Sequence, residues 1–145
     1  MDGSVWPFAP RAAMEQFIAP LRADYKQAAA VMVEGMVRPM LSAALREEVK
    51  AAMLSTPRHV AVSAMEGMME ESLWKEDAIK VPVLAVIARS PFWPADSEQR
   101  FKKVAPVLDF RAWDGVSHFL MMDKPEEFNR ELSEFLARHK LLRQK

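Results

Sequence analysis

Cysteine is absent from the 145 residues. That excludes a disulfide framework, thiolate metal sites and a cysteine nucleophile. A surplus of either charge is absent too: twenty Lys and Arg face twenty Asp and Glu. Phosphate binding needs a basic surplus or stripe, so nucleic acid is not an expected partner. No apolar run approaches the roughly 20 residues that a membrane span needs. The opening residues, MDGSVWPFAP, have neither the basic n-region nor the long apolar core of a secretory signal. Glycine is scarce: Gly3, Gly35, Gly67 and Gly115 are all there are, and none begins a Gly-x-Ser-x-Gly pattern. What is present is a half-apolar chain of one domain's length, enough to bury a sizeable core. The composition predicts a soluble, globular, cytoplasmic protein with no membrane partner.

The pattern divides the chain at about residue 78. Before it, prolines punctuate helical periods. Pro10 opens a helix ending near Ile18, and Pro20 opens the next, with Leu21, Tyr25, Ala28, Met32 and Met36 on one face. Pro39 ends that helix, since the residue before a proline avoids helical geometry. Ser42 is the expected N-cap of a helix striped by Leu45, Val49, Ala52 and Met53. Thr56 before Pro57 repeats the signal for a helix carrying Val60, Ala64 and Met68, with a second row at Met65 and Met69, fraying near Glu71.

From residue 79 onward the rhythm changes. Val81 to Ala88 (VPVLAVIA) is a continuous apolar run of strand length, the mark of a strand covered on both faces in a parallel sheet. Asp96 to Val104 reads as a helix and Val107 to Trp113 as a second strand. Asp114-Gly115 reads as a turn. Asp123 with Glu126 three residues on resembles a capping box for a last helix, with Pro125 in its first turn. Phe128, Leu132, Phe135 and Leu136 are its expected buried stripe. The fold class is therefore α/β, a helical region followed by a strand-helix-strand-helix unit of a parallel sheet.

Strand VPVLAVIA, then PFWP, a helix, a strand and GVSHFLMMDKPEEFN together resemble the C-terminal part of an α/β-hydrolase-fold protein. In that family the last loop commonly reads G-x-G-H-x-x-x-x-E-K-P-E-E-F. Here it runs Gly115-Val116-Ser117-His118, then Asp123-Lys124-Pro125-Glu126-Glu127-Phe128. The resemblance is specific over 79–138. Over 9–78 the helices resemble the variable cap that the family inserts before its last two strands, and residues 1–8 would end the preceding core strand. The resemblance thus implies two regions: 1–78, a strand end and helical cap, and 79–145, the C-terminal part of the hydrolase core. The family's nucleophile elbow and oxyanion loop have no counterpart in the sequence.

His118 would be the base of a Ser-His-acid triad, a role suited to a side chain that titrates near neutral pH. The other reading is a loop histidine bonded to nearby backbone. The family's usual acid falls in the turn after the first of these strands, which here reads Ala88-Arg89-Ser90-Pro91 and offers only serine. Asp2, where some members carry the acid, is favoured over Asp96; a turn residue and a helix N-terminal charge are their plainer roles. Asp114 reads as a turn former. His59 and His139 lie on helices without a ligand at i+4. Seven of the eleven methionines fall between Met32 and Met69. Met32, Met36, Met65 and Met69, with Phe92 and Trp93, would line the apolar side of a substrate site, since methionine suits adaptable pockets. Ordinary helix packing explains the methionines equally well.

The implied reaction is hydrolysis of ester-type or related bonds in a small apolar substrate, without metal or cofactor. Lacking its nucleophile, the chain is expected to be inactive alone and to self-associate or pair with an N-terminal half. The alternative is a non-enzymatic truncated or partner-binding protein with a Met-rich hydrophobic groove.

Overall fold

The computed structural model describes residues 4–7, 9–40, 42–74, 77–91 and 93–141. The chain is mixed α/β and divides into two compact units, one spanning Ser4–Lys75 and the other running from Glu76 onward.

The first unit is helical. Helix α1 spans Arg11–Ala23 and buries Met14, Ile18 and Leu21, one stripe at helical spacing. It runs through Pro20, contrary to the expected break there. Pro20 lies in the last turn, where a helical φ is already met and one backbone bond is forfeited. The break falls instead at Asp24, whose carboxylate accepts from the Gln27 N–H at 3.2 Å and so caps α2, Tyr25–Val37. Helix α2 buries Ala29, Val33 and Val37, and the expected row of Met32 and Met36 is only half-buried.

Ser42 does cap α3, Ala43–Leu54, accepting from the Leu45 N–H at 3.3 Å. Lys50 Nζ lies 3.1 Å from Glu34 of α2 and 3.1 Å from Glu47. These bonds hold the Glu34 carboxyl below and the Lys50 ammonium above their ordinary ranges. Helix α4, Arg58–Gly67, has Pro57 as its N-cap residue. The expected cap, Thr56, instead offers its carbonyl to the Tyr25 hydroxyl at 3.1 Å. Val60 and Ala64, expected to be inward, are exposed, whereas Ala61, Val62 and Met65 are half-buried. The helix stops at Gly67, short of Glu71. A single 3-10 turn, Glu71–Leu73, follows, and Trp74 Nε1 donates to the Met68 carbonyl at 2.8 Å. Helix α1 packs on α2 and α4, and α2 on α3. Arg22 ties α1 to α4 by bonding Glu66 at 2.8 Å, while also holding Glu15 at 2.7 Å.

The second unit is built on a parallel pair, β1 (Val83–Ala88) and β2 (Leu108–Trp113), with Val83 opposite Leu108 and Ala88 opposite Trp113. Parallel pairing requires a crossover, supplied by α5, Ser97–Val104. Side chains alternate along the strands, and the two faces are covered differently. On one, the buried Phe101 of α5 meets Phe110 of β2, ring centroids 5.8 Å apart. On the other lies α7, Pro125–Arg138. There Trp113 meets Phe128 edge-on at 6.5 Å, and Arg111 bonds Glu131 at 3.1 Å. Ala85 to Ala88 are all buried, as the continuous apolar run predicts. On the α7 side, Val86, Ala88, Trp113, Val116 and Leu120 form one buried cluster.

Of the expected α7 stripe, Phe135 is buried and Phe128 and Leu136 are half-buried, while Leu132 is exposed. The expected capping box is also displaced: Lys124 is the N-cap residue of α7. Asp123 ends a short preceding helix, α6 (Leu120–Asp123), and its carboxylate is engaged elsewhere.

Candidate functional site

In open parallel sheets, ligands bind beyond the carboxyl ends of the strands. At that end of this pair the Arg89 N–H donates to the Trp113 carbonyl at 2.7 Å, extending the ladder by one bond. The Arg89 side chain reaches Asp114 at 3.0 Å, both well exposed. Asp114 therefore joins the loops after β1 and β2, besides forming the turn. Gly115 follows with φ +69°, a conformation that side chains other than glycine's resist.

His118 sits on the turn after β2 and is exposed. The residues around it are not. Val116 and Ser117 are buried on one side, and Leu120 is fully buried on the other. The imidazole packs edge-on against Phe119, centroids 5.4 Å apart. The loop backbone is tied twice. The Ser117 N–H donates to Asp123 Oδ2 at 2.6 Å, and the Phe119 N–H donates to Ser117 Oγ at 3.0 Å. The outcome is an exposed histidine on a turn whose backbone is hydrogen-bonded on both sides of it.

No family model, curated protein or solved structure matches the chain.

The other expected site residues fall in several places. Asp2 and Phe92 lie outside the described residues. Asp96, just before α5, is held by Arg100 at 2.9 Å on the exposed side of that helix. Trp93 is half-buried, its ring 6.2 Å from Phe101. Ser90, in the turn after β1, offers its carbonyl to the Trp93 N–H at 3.1 Å. Met32, Met36, Met65 and Met69 belong to the helical unit, all half-buried. Within that unit a cleft of about 560 Å³ opens between α1 and α2, its walls including Phe17, Leu21, Val31 and Met32. The other three methionines are not among its walls. His59 is exposed. His139 is not a free surface group, because its Nε2 lies 3.2 Å from Asp109. Among the described residues, no three carboxylate or histidine side chains cluster as a metal site requires. No helix there is long and apolar enough to cross a membrane.

Sequence reasoning missed Asp123 as a partner of the histidine loop. Its D-x-x-E spacing reads as a helix cap, and a contact to a backbone N–H six residues earlier leaves no periodic signal.

Proposed function

We propose that the region from residue 79 is the C-terminal end of an α/β-hydrolase core, with residues 9–78 as its cap, and that His118 is the general base of a Ser-His-acid mechanism. The observation that carries this reading is the placement of His118. It is an exposed imidazole on an anchored turn, just beyond the carboxyl end of a strand in a parallel pair. A base must meet a nucleophile and a bond to be cut, and that end of a parallel sheet is where substrates collect. The serine and the oxyanion donors come from another polypeptide segment, which would also pair with the sheet. Until it does, the chain self-associates, because each described strand has a strand neighbour on one side only and unpaired edges recruit partners. The substrate is a small apolar ester or a related compound. The acid is Asp2, with Asp96 as the alternative; the ion pair of Asp96 with Arg100 supports a helix-terminal role for Asp96.

The test is complementation. A segment bearing a Gly-x-Ser-x-Gly elbow and oxyanion loop, supplied from a hydrolase of the family, is joined to this chain. Turnover of p-nitrophenyl esters is then measured. The chain alone should show only background hydrolysis. The joined protein should turn over ester and lose that activity in His118→Ala. Asp2→Asn should lower kcat by about 10⁴, the loss the serine-protease template shows for its Asp→Asn change, and Asp96→Asn far less. Saturable turnover by the chain alone, or full activity in the joined His118→Ala protein, would sink the reading.

A second reading is favoured by the cleft between α1 and α2. Phe17 and Val31 on its walls are 48% and 70% exposed, so the cleft presents apolar surface to solvent. A non-enzymatic protein would use such a groove for a hydrophobic ligand or partner. Binding of an apolar dye that is lost in Phe17→Ser but indifferent to His118→Ala would favour it.

A further inference from the structure

We infer that Asp123 is the positioning residue for His118. Its catalytic consequence rests on the hydrolase reading above; the positioning itself does not. The turn that carries His118 begins at Gly115, whose positive φ reverses the chain. It is pinned by Val116 and Leu120, two residues to either side of the histidine, 6% and 0% exposed. Between these pins the chain must bury Ser117, which is 1% exposed. A buried backbone N–H demands a partner, and no strand or helix supplies one here. Asp123 does, with a carboxylate oxygen 2.6 Å away. A charged acceptor makes this bond shorter and stronger than a neutral one.

The carboxylate can reach back because α6 folds the chain toward its own start. The Met122 and Asp123 N–H groups both donate to the Phe119 carbonyl, at 2.7 and 3.2 Å, and the Lys124 N–H donates to the Leu120 carbonyl at 3.0 Å. Ser117 then uses its hydroxyl to accept from the Phe119 N–H at 3.0 Å. The backbone is thus bonded on both sides of His118 in one small network, in which Asp123 supplies a charged acceptor. Removing that acceptor leaves the Ser117 N–H orphaned beside the imidazole. The turn then opens, and the ring loses its fixed place against Phe119.

The experiment uses the full chain and needs no substrate. Amide exchange and the side-chain resonances of His118 are followed by NMR in wild type, Asp123→Asn and Asp123→Ala. In Asp123→Ala the Ser117 amide should exchange about 10- to 100-fold faster, the range expected when a bond to a charged group is lost. The NOEs between the His118 and Phe119 rings should weaken, while the Val86 methyl resonances stay in place. Asp123→Asn retains an acceptor and should restore the ring NOEs, with only a few-fold faster exchange. If Asp123→Ala does not fold, the few-fold increase in Asp123→Asn carries the test. Unchanged Ser117 exchange in the folded variants, or unchanged ring NOEs in Asp123→Ala, overturns the inference. Failure of complementation with these NMR results intact would instead count against the hydrolase reading. In an active joined protein, Asp123→Ala should lower kcat while leaving KM within about twofold, and Asp123→Asn should recover most of the loss, since a misplaced base costs rate and not binding.

Discussion

Asp109 of β2 holds Arg138 at the end of α7, Oδ2 to Nη1, at 2.5 Å. The same oxygen faces His139 Nε2 at 3.2 Å. The carboxylate is one-fifth exposed, while the guanidinium is about half exposed. A fully exposed pair contributes little, but a half-buried carboxylate with two partners contributes more. Asp109→Ala should therefore lower the urea-derived stability by about 1 kcal/mol. Arg89→Ala, which breaks the well-exposed pair with Asp114, should cost less than about 0.5 kcal/mol. Equal losses in the two variants would contradict the ranking by burial.

Pro20 interrupts the hydrogen-bond ladder of α1 without ending the helix. Proline in a helix interior is about 3 kcal/mol less favourable than alanine. Part of this is offset because proline also stiffens the unfolded chain, by up to about 1 kcal/mol. Pro20→Ala is thus expected to stabilise the protein by about 1–2 kcal/mol, seen as a higher Tm in calorimetry. The companion change Asp24→Ala removes the cap of α2 and should cost about 1 kcal/mol. A drop in Tm for Pro20→Ala would mean that a helix does begin there.

Leu120 is fully buried in the cluster with Val86, Ala88, Trp113 and Val116. Leu120→Ala should destabilise by about 2–5 kcal/mol, through lost transfer energy and the cavity left behind. Because Leu120 also pins the His118 turn, the same variant should speed amide exchange at Phe119. Leu132→Ala, on the exposed side of α7, should cost well under about 1 kcal/mol. Comparable losses would place the core of this unit elsewhere.

The Glu34–Lys50 pair gives a pH dependence with a definite sign. Hydrogen bonding to Lys50 lowers the Glu34 carboxyl in the folded state. Its contribution is then present above the ordinary carboxylate range and is lost as pH falls through the lowered folded value. Lys50 is raised by Glu34 and Glu47, so its contribution holds below the ordinary lysine range and is lost as pH rises through the raised folded value. The stability difference between wild type and Glu34→Gln should accordingly be flat near neutrality and shrink in acid. It should also shrink with added salt, as both groups are partly open to solvent. A difference that grows in acid would refute the pairing.

The α/β class, the two parallel strands, the crossover helix and the helical character of the first unit are legible in the sequence. Each rests on a local regularity: an unbroken apolar run for β1, a 3.6-residue period for α7, a serine before an apolar period for α3. The errors share a cause as well. Pro20, Thr56 and Asp123 carry residue types that commonly mark a helix boundary. In each case a nearby group took the role, at Asp24, Pro57 and Lys124. Local type states what a residue can do; competition among neighbours settles what it does. The face that α2 buries was likewise not legible: Ala29, Val33 and Val37 are inward and Met32 and Met36 half-buried, because packing against α1 and α3 selects the face.

The sequence by itself determined which side chains are able to do chemistry, because that follows from residue type. It offers one loop histidine within a recognisable spacing, no thiol and no serine elbow. Only the tertiary structure decided their surroundings. That Ser117 is buried beside an exposed His118, and that the Asp123 carboxylate turns back to the Ser117 N–H instead of capping α7, depends on burying Val116 and Leu120 against β1 and β2. Burial is a property of contacts between distant segments, and a buried N–H must find its partner wherever the packed chain brings one.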